Sequence, residues 1–171
     1  KFKNYFLISN QFWIHKNYDL IVKGLIELQK LQINPYILST GTKFEWRSSS
    51  YYENLLKEIK QNKLNNFIIL GKVSREEQLG LMLNANYLIN PSRSEGWNSA
   101  IEEAKSLKIK VMASNLNVHK EQLGAKGIYF GCDDHLKFSH ILKKQFLKRK
   151  KLKQIGYNKL YSLNKFHFKK F

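Results

Sequence analysis

The chain carries a single cysteine, Cys132, among its 171 residues. An internal disulfide is therefore excluded, and without a cysteine–histidine cluster nothing points to a metal site. A reducing cytoplasmic setting follows, and Cys132 reads as a small loop residue after a strand rather than a reactive thiol. No apolar run approaches the roughly 18 residues that a membrane-spanning helix needs. The short apolar stretch at residues 1–8 has no small-residue cleavage site, so it does not read as a signal peptide. An initiator Met is also missing and the chain opens directly into a strand-like run, as a fragment would. Acidic residues are few: 13 against 30 Lys and Arg, for a formal net charge of +17. Arginine is scarcer still, confined to Arg47, Arg75, Arg93 and Arg149. Guanine edges are read by arginine forks, so this lysine-dominated charge argues against a nucleic-acid reader. Abundant lysine, asparagine and isoleucine fit an AT-rich coding bias. Attraction to the anionic inner face of a membrane is the weaker partner expectation that the charge leaves.

What is present is ordinary for a globular chain: 43% hydrophobic residues, enough for a full core in one compact domain. Short apolar runs alternate with longer amphipathic ones. Tyr5–Ser9, Tyr36–Ser39, Phe67–Leu70, Tyr87–Asn90, Lys110–Ala113 and Ile128–Phe130 read as strands buried on both faces. Between them, Tyr18–Leu31, Tyr51–Lys63, Glu76–Ala85 and Ser99–Leu107 have helical period. In the first of these, Leu20, Ile21, Gly24, Leu25, Leu28 and Leu31 share one stripe. Ser74 with Glu77 forms a capping-box signature, and Asn34-Pro35 punctuates the passage from helix to strand. From His135 onward the chain reads as helical and strongly basic. The alternation predicts an α/β fold: a doubly wound, Rossmann-like parallel sheet of about six strands with flanking helices.

In such sheets ligands bind beyond the carboxyl ends of the strands. Three loops fall there and should face one crevice: Ser9–Asn17, Gly71–Ser74 and Pro91–Ser99. The third leads into a helix whose unpaired first-turn N–H groups attract anions, and Gly96 lets the backbone approach a ligand closely. Helical phase separates the acids that follow. With Ala100, Ile101, Ala104 and Leu107 on the apolar stripe, Glu102 points nearly opposite and reads as solvated. Glu103 falls on the flank, on the side of Gly96 and Ser99, placed to accept hydrogen bonds from a vicinal diol such as ribose. Taken alone, Glu95 and Glu103 would be two surface acids on an ordinary helix.

The surrounding residues change that. Ser94-Glu95-Gly96-Trp97-Asn98-Ser99-Ala100-Ile101-Glu102-Glu103-Ala104 resembles the Glu-x7-Glu signature of retaining GT-B glycosyltransferases of family 4 (group 1). The continuation through Val111-Met112-Ala113-Ser114 and Val118-His119-Lys120-Glu121-Gln122 is similar to the next strand and loop of bacterial surface-polysaccharide members. Upstream, Ser9–Asn17 resembles the first loop of the same C-terminal, donor-binding domain. The resemblance implies that Lys16 contacts the donor diphosphate, that Glu95 lies beside the donor sugar and phosphate as a catalytic residue with Lys16, and that Glu103 holds the ribose hydroxyls. It implies diphosphate support from the backbone of Gly96, Trp97, Asn98 and Ser99, and base contacts at Lys72 and Val73. It also implies a hexosyl-type enzyme that works without a metal or other cofactor, and no Asp-x-Asp motif occurs here.

The pattern departs from the family at two places. Many relatives carry an arginine a few residues before the lysine; here Gln11 can donate a hydrogen bond but brings no charge, and the adjacent His15 is either a helper when protonated or a capping or packing residue. Asn98 stands where glycine is frequent. The resemblance further implies an N-terminal domain that holds a glycan or lipid-linked acceptor, which nothing in this chain supplies. Residues 1–150 then form the nucleotide-sugar-binding domain and 151–171 a basic C-terminal helix or tail. Two other functions compete: a non-catalytic or truncated sugar-nucleotide-binding module, and a basic nucleic-acid-binding α/β domain. The latter predicts stacked aromatics on an exposed face, whereas Trp13, Trp46 and Trp97 are dispersed.

Overall fold

The computed structural model describes residues 4–42 and 49–152. Trp46, Arg47 and all of the tail expected over residues 151–171 except 151 and 152 lie outside the described residues. Six strands form one parallel sheet: β1 (Tyr5–Ser9), β2 (Tyr36–Thr40), β3 (Phe67–Gly71), β4 (Leu88–Asn90), β5 (Val111–Ser114) and β6 (Ile128–Phe130). Their order is β3-β2-β1-β4-β5-β6. Among the described residues six α-helices connect and follow them: α1 (Tyr18–Lys30), α2 (Ser49–Gln61), α3 (Arg75–Asn84), α4 (Ser99–Ser106), α5 (Asn117–Leu123) and α6 (His135–Leu152). The doubly wound expectation holds, and the strand order reverses between β1 and β4.

The period of two along each strand divides the core. In β1, Phe6 and Ile8 pack on one face with Ile37, Ile89 and Met112, under residues of α1, α2 and α6. Tyr5 and Leu7 pack on the other with Leu38, Leu88, Val111 and Ala113, against Ile101 and Ala104 of α4 and Met82 of α3. Each fully buried Leu, Ile or Phe contributes about 1.5–3 kcal/mol relative to exposure, so the sheet is held from both sides. No helix among the described residues is long and apolar enough to cross a membrane.

Local signals act as the sequence suggests in most places. The Ser74–Glu77 capping box forms in full: the Glu77 N–H donates to Ser74 Oγ at 3.2 Å, and the Ser74 N–H to Glu77 Oε2 at 2.8 Å. The stripe of α1 buries Leu20, Ile21, Gly24, Leu25 and Leu28. Leu31 departs from it; the helix ends there and the side chain is 55% exposed. The segment expected as a loop around Val118–Gln122 is instead helix α5, whose buried residues include His119 and Gln122. Its inward face is partly polar, so no apolar period marks it.

Gly24 is where α1 meets α6. A Cβ there would lie 2.5 Å from Cδ1 and 2.9 Å from Cε1 of the fully buried Phe138. On an open helix face Gly→Ala would gain about 1 kcal/mol, but overpacking costs about 1–3 kcal/mol. We expect Gly24→Ala to lower stability in urea unfolding, and the same change to become neutral or favourable when Phe138→Leu makes room. A stabilising Gly24→Ala in the otherwise unaltered chain would contradict this packing.

Candidate functional site

Beyond the carboxyl ends of β1 to β4 lies a cleft of about 380 Å³. It opens at the reversal between β1 and β4, where the connections leave toward opposite faces of the sheet and cannot fill the gap. The three loops singled out from the sequence do converge on it. Gln11, Trp13 and Lys16 come from the first, Lys72 and Val73 from the second, and Glu95, Trp97, Asn98 and Ser99 from the third. Sequence reasoning missed a fourth contribution: Thr40 at the end of β2 with Gly41 and Thr42 after it, and Gln78 of α3.

The centre of the cleft is an ion pair. Lys16 Nζ lies 2.7 Å from Glu95 Oε1, and the two side chains are only 11% and 8% exposed. Lys16 ends a short 3-10 turn, Ile14–Lys16, after β1. Glu95 stands in the loop from β4 to α4. The same Oε1 also accepts from Asn98 Nδ2 at 3.0 Å and lies 2.7 Å from Ser92 Oγ. Burial alone would push the Glu95 carboxyl up. The hydrogen bonds from Lys16, Ser92 and Asn98 outweigh burial and hold it below the usual carboxylate range, so it is ionised at neutral pH. Oε2 of Glu95 and two N–H bonds of Lys16 are left for a ligand among the described residues.

The loops are locked in place by polar contacts that run through the core. Asn17 follows Lys16 in a left-handed backbone (φ 58°) and is fully buried. Its Nδ2 donates to the carbonyls of Pro91 (3.0 Å) and Cys132 (2.8 Å), tying three loops together. The Cys132 Sγ lies 3.6 Å from the Ser92 carbonyl, a packing position. Asn98 caps α4 by accepting from the Ile101 N–H at 3.0 Å. Ser99 and Ala100 therefore present the positive end of α4 to the cleft.

The remaining expected residues occupy unequal places. Gln11 is oriented by Thr42, whose N–H donates to Gln11 Oε1 at 2.7 Å and whose hydroxyl bonds the same oxygen. Its Nε2 is thereby the end able to donate to a ligand. Gly41 (φ 137°) makes this approach workable, because a Cβ there would run into the Asn10 carbonyl. His15 does not line the cleft; its carbonyl accepts from the Arg93 N–H at 2.7 Å and its ring packs 5.6 Å from that of Trp13. Gly96 is exposed, with nothing within 4 Å of where a Cβ would stand. Glu103 is set back from the cleft: Oε1 pairs with Arg75 Nη1 at 2.8 Å, and Oε2 is shielded from solvent with no described partner. Glu102, read as solvated, is half-buried and bonds Lys105 and Gln122. Among the described residues no three His, Cys, Asp or Glu side chains cluster as metal ligands.

Beneath the ion pair sits His119, fully buried. Its Nδ1 lies 2.9 Å from the Ser114 carbonyl and 3.1 Å from Ser114 Oγ, whose own hydrogen goes to the Ser92 carbonyl. With two oxygens to satisfy, Nδ1 must carry the proton, and Nε2 is an unprotonated acceptor without a described partner. Burial pushes its pKa below the ordinary 6.5. The unfolded chain thus binds a proton that the folded one resists. The neutral ring's contribution is complete above 6.5 and is lost as pH falls from there through the depressed value. Urea unfolding should show stability dropping over that window, and His119→Asn, which keeps a donor near Nδ1, should flatten the drop. An unchanged pH slope in the variant would refute this assignment.

Comparison with known proteins bears on the family and the fold. The family model of "Glycosyl transferases group 1" matches residues 1–160. No curated protein sequence matches the chain. Among solved structures, a glycosyltransferase from Rickettsia africae ESF-5 superposes with TM-score 0.74 at 18% identity, over 85% of this chain and 38% of that one. Anabaena HepE in complex with UDP-glucose superposes with TM-score 0.72 at 17% identity, over 86% of this chain and 40% of its own. Sucrose-phosphate synthase from Thermosynechococcus elongatus gives TM-score 0.70 at 16% identity, over 82% and 36%. The chain thus spans about two fifths of the length of these structures, whose fold it shares over that part. With nearly its whole length matched by the family model, the chain belongs to the glycosyl transferases group 1 family.

Proposed function

We propose that this domain binds a nucleotide-diphosphate sugar and serves the transfer of its sugar to a glycan or lipid-linked acceptor. The observation that carries the proposal is the buried Lys16–Glu95 pair, set in the cleft beside the N-terminus of α4. Breaking the bond between the sugar's anomeric carbon and the phosphate oxygen leaves negative charge on a nucleoside diphosphate. Lys16 and the first-turn N–H groups of α4 are the fixed positive groups that would take up that charge. Gln11 Nε2 adds a neutral donor where many relatives have arginine. Glu95, kept ionised, would accept from a sugar hydroxyl through Oε2.

Lys72, Val73 and the Thr40–Thr42 segment also line the cleft, and Lys72 and Val73 would face the base. HepE, one of the similar structures, holds UDP and UDP-glucose, which favours a uridine donor here. Transfer with retention, without a metal, in a hexosyl-type enzyme of family 4 that builds surface polysaccharide is the fuller form of the proposal. The acceptor would be held by a further domain or chain. The lysines of α6 would draw the assembly toward an anionic membrane face.

Calorimetry with UDP, GDP and ADP tests this directly. We expect saturable binding of one nucleotide, weakened about tenfold or more by Lys16→Ala and by Glu103→Ala, since a hydrogen bond to a charged group is worth about 1.5–3 kcal/mol. Binding of DNA or anionic vesicles with a steep salt dependence, and of no nucleotide, would overturn it.

A further inference from the structure

Glu103 has a partner before any ligand arrives. Arg75 opens α3 directly after its N-cap Ser74, inside the capping box, so its backbone is fixed by the Ser74–Glu77 exchange. From there the guanidinium reaches Glu103 on α4, and the same Nη1 lies 3.4 Å from Gln78 Oε1. Gln78 Nε2 in turn donates to Ser9 Oγ at 2.8 Å. Gln78 and Ser9 line the cleft. A polar chain Ser9–Gln78–Arg75–Glu103 therefore links the cleft wall to a carboxylate that stands behind it.

We propose that Arg75 is a positioning residue of the nucleotide site, holding Glu103 in the rotamer from which it recognises the ribose diol. The proposal rests on the donor-site function given above. Bidentate acceptance from two vicinal hydroxyls needs a fixed carboxylate plane, because each freed rotamer spends binding energy on ordering. Glu103 has no other described cation beside it, and its Oε2 is sheltered without a partner. Arg75 supplies both the charge and the geometry through one oxygen; with one N–H on Glu103 and one on Gln78, three further N–H bonds are left for a ligand or water. A ligand hydroxyl that reaches Oε2 satisfies an acceptor that is otherwise unmet. The Arg75 side chain is 56% exposed. An exposed pair adds little to folding, so removing Arg75 should leave the domain folded and alter recognition alone.

Discrimination between a ribose and a deoxyribose is the readout, since a purely structural role would not move it. Affinities of UDP and 2′-deoxy-UDP, and of GDP and 2′-deoxy-GDP, are measured for the unaltered chain, Arg75→Ala, Arg75→Lys and Glu103→Gln. The unaltered chain should prefer the ribonucleotide by about tenfold, the effect of one well-placed hydrogen bond. Glu103→Gln should bring the ratio close to unity. Arg75→Ala should bring it to within about threefold with an unchanged urea midpoint, and Arg75→Lys should retain part of it. If Arg75→Ala keeps the full ratio while Glu103→Gln loses it, the positioning role is wrong and the donor site stands. If the unaltered chain binds no nucleotide, or Glu103→Gln keeps the preference, the donor-site function or the Glu103 role fails and takes this inference with it.

Discussion

Everything in the cleft depends on one buried contact between loops from different halves of the sheet, Lys16 to Glu95. Taking both charges from water costs several kcal/mol apiece, and mutual attraction offsets this only when further hydrogen bonds complete the arrangement. Here Ser92 and Asn98 complete it on the carboxylate. The demand for these extra donors explains the polar interior around the site. Asn17 anchors the lysine's turn, Ser114 anchors the Ser92 carbonyl, and Gln122 donates to the Asn98 carbonyl from α5. Each of these residues is buried, and each holds a loop at a distance that the ion pair requires.

The second pair in the region, Arg75 with Glu103, obeys different physics. Its arginine lies largely in solvent, so the pair is screened and contributes little to folding. Such a contact suits a cation whose task is to orient the carboxylate while its second oxygen stays without a described partner. Both acids of the site thus have their own cation, and the large net charge of the chain is not needed to balance them. Among the described residues most lysines other than Lys16 lie on exposed faces, Lys137, Lys144 and Lys148 of α6 among them.

Much of the architecture was legible because it rests on local chemistry. Short, mostly apolar runs bounded by turn signals read as strands, and all six recur in the sheet within a residue or two of their expected limits. Burial on both faces fails at the edge strand β3, where Leu70 is exposed because no further described strand or helix covers it. The Ser74–Glu77 box declares a helix start by itself. Helix α5 was not legible, because burying His119 and Gln122 breaks the apolar period on which recognition of a helix relies. The Thr40–Thr42 turn escaped notice for a related reason. Its value lies in Gly41 passing close to the Asn10 carbonyl, a meeting of two chain segments that no local pattern encodes.

The sequence by itself determined the parallel α/β fold, the three loops that meet at the strand ends, and the family, through the spacing of Lys16, Glu95 and Glu103. Those are properties of period and order along the chain. Only the tertiary structure decided how the charges are distributed among partners. It joined Lys16 to Glu95, turned Gln11 through Thr42, set His15 aside, and gave Glu103 to Arg75. The physical reason is that a side chain's hydrogen-bond partner is fixed by packing across elements 28 to 79 residues apart, as with Arg75 and Glu103 or Lys16 and Glu95. Periodicity within an element carries no record of that distance.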